Sequence, residues 1–322
     1  MQRREFIIAL SAAAVAQASL AQGNSPYAGK QVRWILGFAP GGGTDVMARA
    51  LAPRVGAALD ATVIVENKAG ANGNIAAEYV ARSAPDGLTL LYNTSSVVTS
   101  PWLMKVGFDP FNDFLPVAPI ANVPLLLVVN PQVPASNIAE FIRYAKAHPG
   151  ELSYASAGNG NTTHLGNLMF QSAVGIQATH VPYKGDGPAL TDLVAGHVQF
   201  YAATANTAIP FVERKMLRAL ATAGTQRLAA LPDVPTISES AVPGFEAGSW
   251  TGLMAPAKTP STMIEAMNAA VRQVQLDPAM RPMFTQQAAE LRTGSPEEYG
   301  RYERAEYDRL GKIIRQHGIR LD

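Results

Sequence analysis

Two glycine-rich turns constrain this chain more than any other feature: Phe38-Ala39-Pro40-Gly41-Gly42-Gly43-Thr44-Asp45 and Ser156-Ala157-Gly158-Asn159-Gly160-Asn161-Thr162-Thr163-His164. A short apolar run precedes each, Val32–Leu36 and Leu152–Ala155, and reads as a buried strand. Beyond each turn, apolar residues recur three and four apart, as on a helix: Val46, Met47, Ala50 and Leu51, then Leu165, Leu168 and Met169. A strand that feeds a side-chain-poor loop into a helix leaves backbone N–H groups free at the positive end of the helix dipole. Such an end cradles anions. Two cradles so far apart in sequence predict two lobes gripping one anionic ligand between them.

The N-terminus predicts export. Arg3 and Arg4 form a positive n-region, Phe6–Leu10 through Val15-Ala16 an apolar stretch, and Ser19-Leu20-Ala21 a small-residue cleavage site, with Ala16-Gln17-Ala18 as a second option. Residues 1–21 are therefore expected to be a signal peptide. Arg3-Arg4-Glu5-Phe6 suits a twin-arginine signal as well as an ordinary Sec one. The stretch is short and alanine-diluted against the ~20 strongly apolar residues of a membrane span. A periplasmic location is expected.

Composition removes several function classes. The chain has no cysteine, hence no disulfide, thiol nucleophile or thiolate metal site. A net charge of +1 supplies no field for nucleic acid. The five histidines show no metal-ligand spacing. Neither glycine turn ends in the Gly-Lys-Ser/Thr of a phosphate-binding loop, Gly158-Asn159-Gly160 lacks the third glycine of a dinucleotide fingerprint, and no Gly-x-Ser-x-Gly elbow occurs. No catalytic residue, cofactor or metal is expected.

Strand, turn and helix patterns alternate along the mature chain, which predicts an α/β fold with largely parallel sheets. Val63–Val65 and Leu88–Tyr92 read as strands, with Ile75, Tyr79 and Val80 on one helix face between them. Prolines punctuate 101–134, and within that stretch Leu125–Val129 reads as a buried strand entering the second lobe. Asn137 with Glu140, Thr259-Pro260, and Ser295 with Glu298 mark helix starts. The expected lobes are 22–123 plus 231–322, and 124–230. The crossings fall near Asn122–Pro124 and within Thr225–Gly248.

The residues also resemble a known family. Pro40–Asp45, Val65–Ile75, Ala84–Leu90, Ala145–Tyr154, His180–Gly185, Leu217–Ala221, Leu231–Thr236 and Trp250–Pro256 occur together in order across the mature chain. In this the chain resembles the Bug receptors, periplasmic solute-binding proteins of tripartite tricarboxylate transporters. The resemblance implies a two-lobed, flytrap-like binding protein of type II character, holding a small carboxylate in a cleft. It further implies a monomer that delivers ligand to membrane transporter subunits. A binding protein that feeds a signalling partner is the alternative.

Several residues form the candidate site. Glycines without a Cβ let backbone donors approach a carboxylate, and Thr44, Ser156, Asn161 and Thr162 add side-chain donors. The resemblance carries ligand contact onto Pro40, Gly41, Gly42, Ser156, Gly158, Asn161 and Thr162; Ala157 and Asn159 share the second loop. Ser95 ends a strand, His164 lies in a first helical turn, and Lys184 could supply a counter-charge; each also admits a purely structural reading. Asp45 reads as a partner of the helix dipole. Micromolar affinity takes ~8 kcal/mol, within reach of a few charge-assisted hydrogen bonds at ~1.5–3 kcal/mol each. No arginine clamp is required. Many Bug receptors carry an Asp where this chain has Ala203. With no acid there to receive an ammonium, the expected ligand is a non-aminated carboxylate.

Overall fold

The computed structural model describes residues 25–38, 40–41, 43–183 and 185–320; the expected signal peptide, Gly42 and Lys184 lie outside the described residues. Ten strands are present among them: β1 (Gln31–Leu36), β2 (Thr62–Asn67), β3 (Thr89–Thr94), β4 (Phe114–Val129), β5 (Ser153–Ser156), β6 (Thr179–Pro182), β7 (Phe200–Thr204), β8 (Arg218–Thr222), β9 (Gly248–Pro256) and β10 (Glu290–Leu291). The helices are α1 (Gly43–Leu59), α2 (Asn74–Ala81), α3 (Ser96–Leu103), α4 (Ile138–Ala147), α5 (Thr162–Val174), α6 (Asp186–Ala195), α7 (Ala205–Glu213), α8 (Ile237–Ser240), α9 (Ser261–Leu276), α10 (Arg281–Gln286) and α11 (Pro296–Gln316).

Each lobe has a parallel portion: β1 pairs with β2 and β3 in one, and β5 with β6 and β7 in the other. The strands that join them run antiparallel, β9 against β3 and β4, and β4 against β7 and β8. The sheet is therefore mixed, not largely parallel. β4 is the common member. It pairs with β9 as far as Pro124 opposite Gly248, and from Leu125 onward with β7 and β8.

This single strand runs through the proline-rich stretch that reads as broken in the sequence. Its register against β9 slips between Pro116 and Ala118 and again between Pro119 and Ala121. A proline lacks the N–H for a ladder bond, and a bulge is the position that tolerates the loss.

Trp34, Leu51, Ile120 and Leu253 belong to the core of the first lobe; in the second, Phe141 stacks on Phe170 and meets Phe200 edge-on. Residues 231–247, expected with the first lobe, pack on the second: Ile237, Phe245 and Ala247 join the Phe141 cluster. In α2 the buried face is Ala76, Ala77 and Val80, whereas Ile75 and Tyr79 are exposed. Lys68 Nζ sits 4.2 Å from the Tyr79 ring centroid and partly covers it. Ser295 forms a reciprocal capping box with Glu298, as its spacing predicts. The Thr259-Pro260 start is displaced by one residue. Pro260 is itself the cap, and Thr259 Oγ1 turns back to donate to the Pro256 carbonyl at 2.8 Å.

Candidate functional site

Five helices start on one cavity of about 320 Å³ between the lobes. Each follows a strand: β1 leads to α1, β3 to α3, β5 to α5, β6 to α6 and β7 to α7. Their first turns bring Gly43 and Thr44, Ser95 and Ser96, Asn161 and Thr162, Asp186, and Thr204 and Asn206 to the wall. The first N–H groups of a helix have no intrahelical acceptor, and the dipole is positive there. Phe38, Met47 and Val123 supply apolar surface, while Asn72, Thr94, Thr99, Thr207, Ser249, Thr251 and Gln287 add hydroxyl and amide groups. Among the described residues no Lys, Arg or His lies on the wall. The cavity is at the small end of the roughly 300–1,000 Å³ typical of ligand pockets.

The glycine turns build these helix starts by spending their own donors internally. Gly41 N–H donates to Asp45 Oδ2 at 3.0 Å, and Arg49 Nε and Asn67 Nδ2 bind the same carboxylate at 3.0 and 2.8 Å. Burial pushes the Asp45 carboxyl up, but Arg49, Gly41 and Asn67 outweigh it and hold the pKa below the usual range. Asp45 is thus the clasp of the first loop. In the second loop, Ala157 N–H donates to Thr163 Oγ1, Gly158 N–H to Ser156 Oγ and Gly160 N–H to His164 Nδ1, at 2.9, 3.2 and 3.1 Å. Asn161 Oδ1 caps α5 by accepting from Thr163 N–H at 2.9 Å.

Beneath that loop lies a packed aromatic group. Ser156 Oγ and His180 Nε2 are 2.7 Å apart, and the rings of His164 and His180 stack at 3.9 Å between centroids. Tyr154 stacks on His180 at 4.9 Å. Burial first, and the neighbouring His180 second, lower the His164 pKa to about 4. Neutral His164 can accept the Gly160 N–H, and the imidazolium cannot.

Residues 47–319 match the model of the tripartite tricarboxylate transporter family receptor. The chain belongs to this receptor family. BugT of Bordetella pertussis is 34% identical over 298 residues, 92% of this chain and 91% of that protein. The R. palustris protein Rpa4515, solved with adipate, is 35% identical with a TM-score of 0.79, covering 91% of this chain and 99% of that one. MatC (Rpa3494) from Rhodopseudomonas palustris, with bound malate, is 32% identical with a TM-score of 0.73, covering 89% and 99%. The two-lobed α/β architecture of the receptor family is the fold of this chain.

Within that fold, the expected site residues separate into three groups. Thr44, Ser95, Asn161 and Thr162 meet on the cavity wall. Ser156, Ala157, Gly158 and His164 lie under it and shape the second loop, while Pro40, Gly41 and Asn159 are exposed away from it. The backbone donors expected from Gly41 and Gly158 are committed to Asp45 and Ser156.

Ala203 stands apart from all three, fully buried opposite Leu126 in the second-lobe core. It does not face the cleft, so its small side chain says nothing about the ligand. An acid unforeseen from the sequence does face it: Asp186, first residue of α6. Thr204 and Asn206 were also missed, because the turn from β7 to α7 has the same strand-to-helix form but no glycine to mark it. No helix among the described residues is long and apolar enough to cross a membrane.

Proposed function

We propose that this chain is a periplasmic, monomeric receptor that captures a small carboxylate between its lobes and hands it to the membrane subunits of a tripartite tricarboxylate-type transporter. The observation that carries the reading is the meeting of five helix N-termini on one small cavity that has no basic side chain among the described residues. A carboxylate there receives donors and dipoles from both lobes, and no reorganisation of a long cation is needed. Thr44, Ser95, Asn161 and Thr162 are the proposed contacts, with Asn206 and Thr207 added from the second lobe. Receptors of the same family solved with adipate and with malate support a carboxylate of this size.

Binding occurs without turnover. The Ser156–His180 pair lies beneath the loop, where Ser156 is fully buried. The lobes divide between Pro124 and Leu125 and again near Gly248, so the strand crossings β4 and the entry to β9 form the hinge. A thermal-shift screen over mono-, di- and tricarboxylates, followed by calorimetry, tests the assignment. A saturable stabilisation by at least one carboxylate is expected, and its absence across the panel overturns the reading.

A further inference from the structure

The cavity wall carries one formal charge among the described residues, and it is negative. Asp186 projects from the first turn of α6, where its carboxylate accepts from the Tyr201 hydroxyl on one oxygen and from Thr204 Oγ1 at 3.0 Å on the other. A carboxylate has about four acceptor positions, so two hydrogen bonds leave capacity toward the cavity. No ion pair to it exists among the described residues. Burial raises its pKa while Tyr201 and Thr204 oppose that rise.

An acid without a cationic partner among the described residues is out of place in a pocket built to hold an anion. Against a ligand with only carboxylates it adds like-charge repulsion at short range. Were Asp186 only a helix-start residue, solvent on the outer face would serve it better than the interior of the cleft, because burying a charge without a partner is costly. A ligand that brings a cation of its own resolves both difficulties.

We infer that Asp186 receives the ammonium group of an amino-substituted carboxylate, while the helix N-termini of α1, α3 and α5 hold its carboxylate. This rests on the carboxylate-receptor reading above and names the ligand class within it. Tyr201 and Thr204 orient the acceptor, and its remaining acceptor capacity serves the ammonium. Selectivity then follows from charge pairing: a hydroxy acid can donate one hydrogen bond to Asp186 but cannot neutralise it.

Calorimetry on the mature chain with matched pairs tests this: aspartate against succinate and malate, glutamate against glutarate, and 2-aminoadipate against adipate. In at least one set the amino acid should bind at least roughly tenfold more tightly than its unaminated partner, the worth of one charge-assisted hydrogen bond. In Asp186→Asn that advantage should vanish, with the unaminated partner binding as well as or better than before, which also shows the variant folded. If the unaminated member of every binding pair is equal or tighter in the unmodified protein, the inference is overturned while the receptor reading stands. If no carboxylate of either kind binds, both fall. Should Asp186→Asn retain the full preference, an acceptor other than Asp186 holds the ammonium.

Discussion

Ser95 Oγ and Thr162 Oγ1 lie 3.2 Å apart, 67 residues distant in sequence and on opposite lobes. Each hydroxyl belongs to the start of a helix, α3 and α5, so this contact brings two positive dipole ends together at the cavity. In the proposed complex both hydroxyls turn toward the cavity and donate to the ligand carboxylate. Thr162→Val keeps the shape and removes the hydroxyl. Its expected effect is a loss of about 10- to 100-fold in affinity for the best carboxylate found, the range of one hydrogen bond to a charged group. Tm should be nearly unchanged. Calorimetry beside a thermal melt checks both, and equal affinity with a lowered Tm would make the contact structural.

The stacked histidines predict an acid-sensitive second loop. His164 has its pKa lowered to about 4 from an ordinary 6.5, so the folded state favours the neutral ring. Between those values the unfolded chain binds the proton more readily, and stability falls as pH drops through that window. Protonation also removes the acceptor for Gly160 N–H. The expected loss is on the order of 2 kcal/mol by pH 4. Urea unfolding of the protein and of His164→Asn across pH 4 to 7 measures the difference; parallel profiles would exclude His164 as the titrating group.

How far the sequence reveals this site depends on what kind of signal each residue leaves. Gly41–Thr44 and Gly158–Thr162 announce helix starts because glycine marks a turn, and the two helices do begin there. What the loops do with their donors is not legible. That Gly41 donates to Asp45 depends on Arg49 and Asn67 arriving from a helix and a distant strand. Asp186 and Thr204 join the cavity through strand-to-helix turns with ordinary residues, and only the sheet topology places β6 and β7 on either side of β5. β4 was hidden by its prolines, since local propensity marks Pro116, Pro119 and Pro124 as breaks, while pairing with β9 holds the strand through them. The side on which Ala203 faces is a matter of strand register, and one residue decides between core and cleft.

Glu303 predicts an opposite pH dependence. It is almost fully buried on α11, where Asn93 Nδ2 donates to it at 3.1 Å and Tyr299 donates to Asn93 Oδ1 at 3.0 Å. Burial raises its pKa to about 8, against 4.5 ordinarily. The folded protein keeps the proton that the unfolded chain releases, so stability declines as pH rises from about 4.5 toward 8. Glu303→Gln retains a neutral donor and acceptor at the same place. It should match the parent near pH 5 and exceed it by about 2 kcal/mol or more at pH 8. Chemical denaturation at the two pH values decides the matter, and a constant offset would mean that Glu303 does not titrate in this range.

Gly252 tests the packing that supports the cleft from behind. It lies in β9, opposite Asn93 of β3 and Pro119 of β4, so its backbone is paired on both sides and cannot easily shift. A Cβ at this position would fall on the Tyr299 ring, about 2.3 Å from Cζ. Tyr299 is 2% exposed and packs edge-on against Trp250, leaving no room to retreat. Gly252→Ala should therefore destabilise the protein by about 1–3 kcal/mol or more, the usual cost of overpacking a core. Because Tyr299 also donates to Asn93, which donates to Glu303, the same substitution should disturb the proton on Glu303. Adding Tyr299→Phe, which removes the hydroxyl nearest the new methyl, should restore part of the loss. Measured unfolding free energies of the two single variants and the double variant form a cycle that checks this. Strictly additive energies would locate the strain somewhere other than the Gly252–Tyr299 contact.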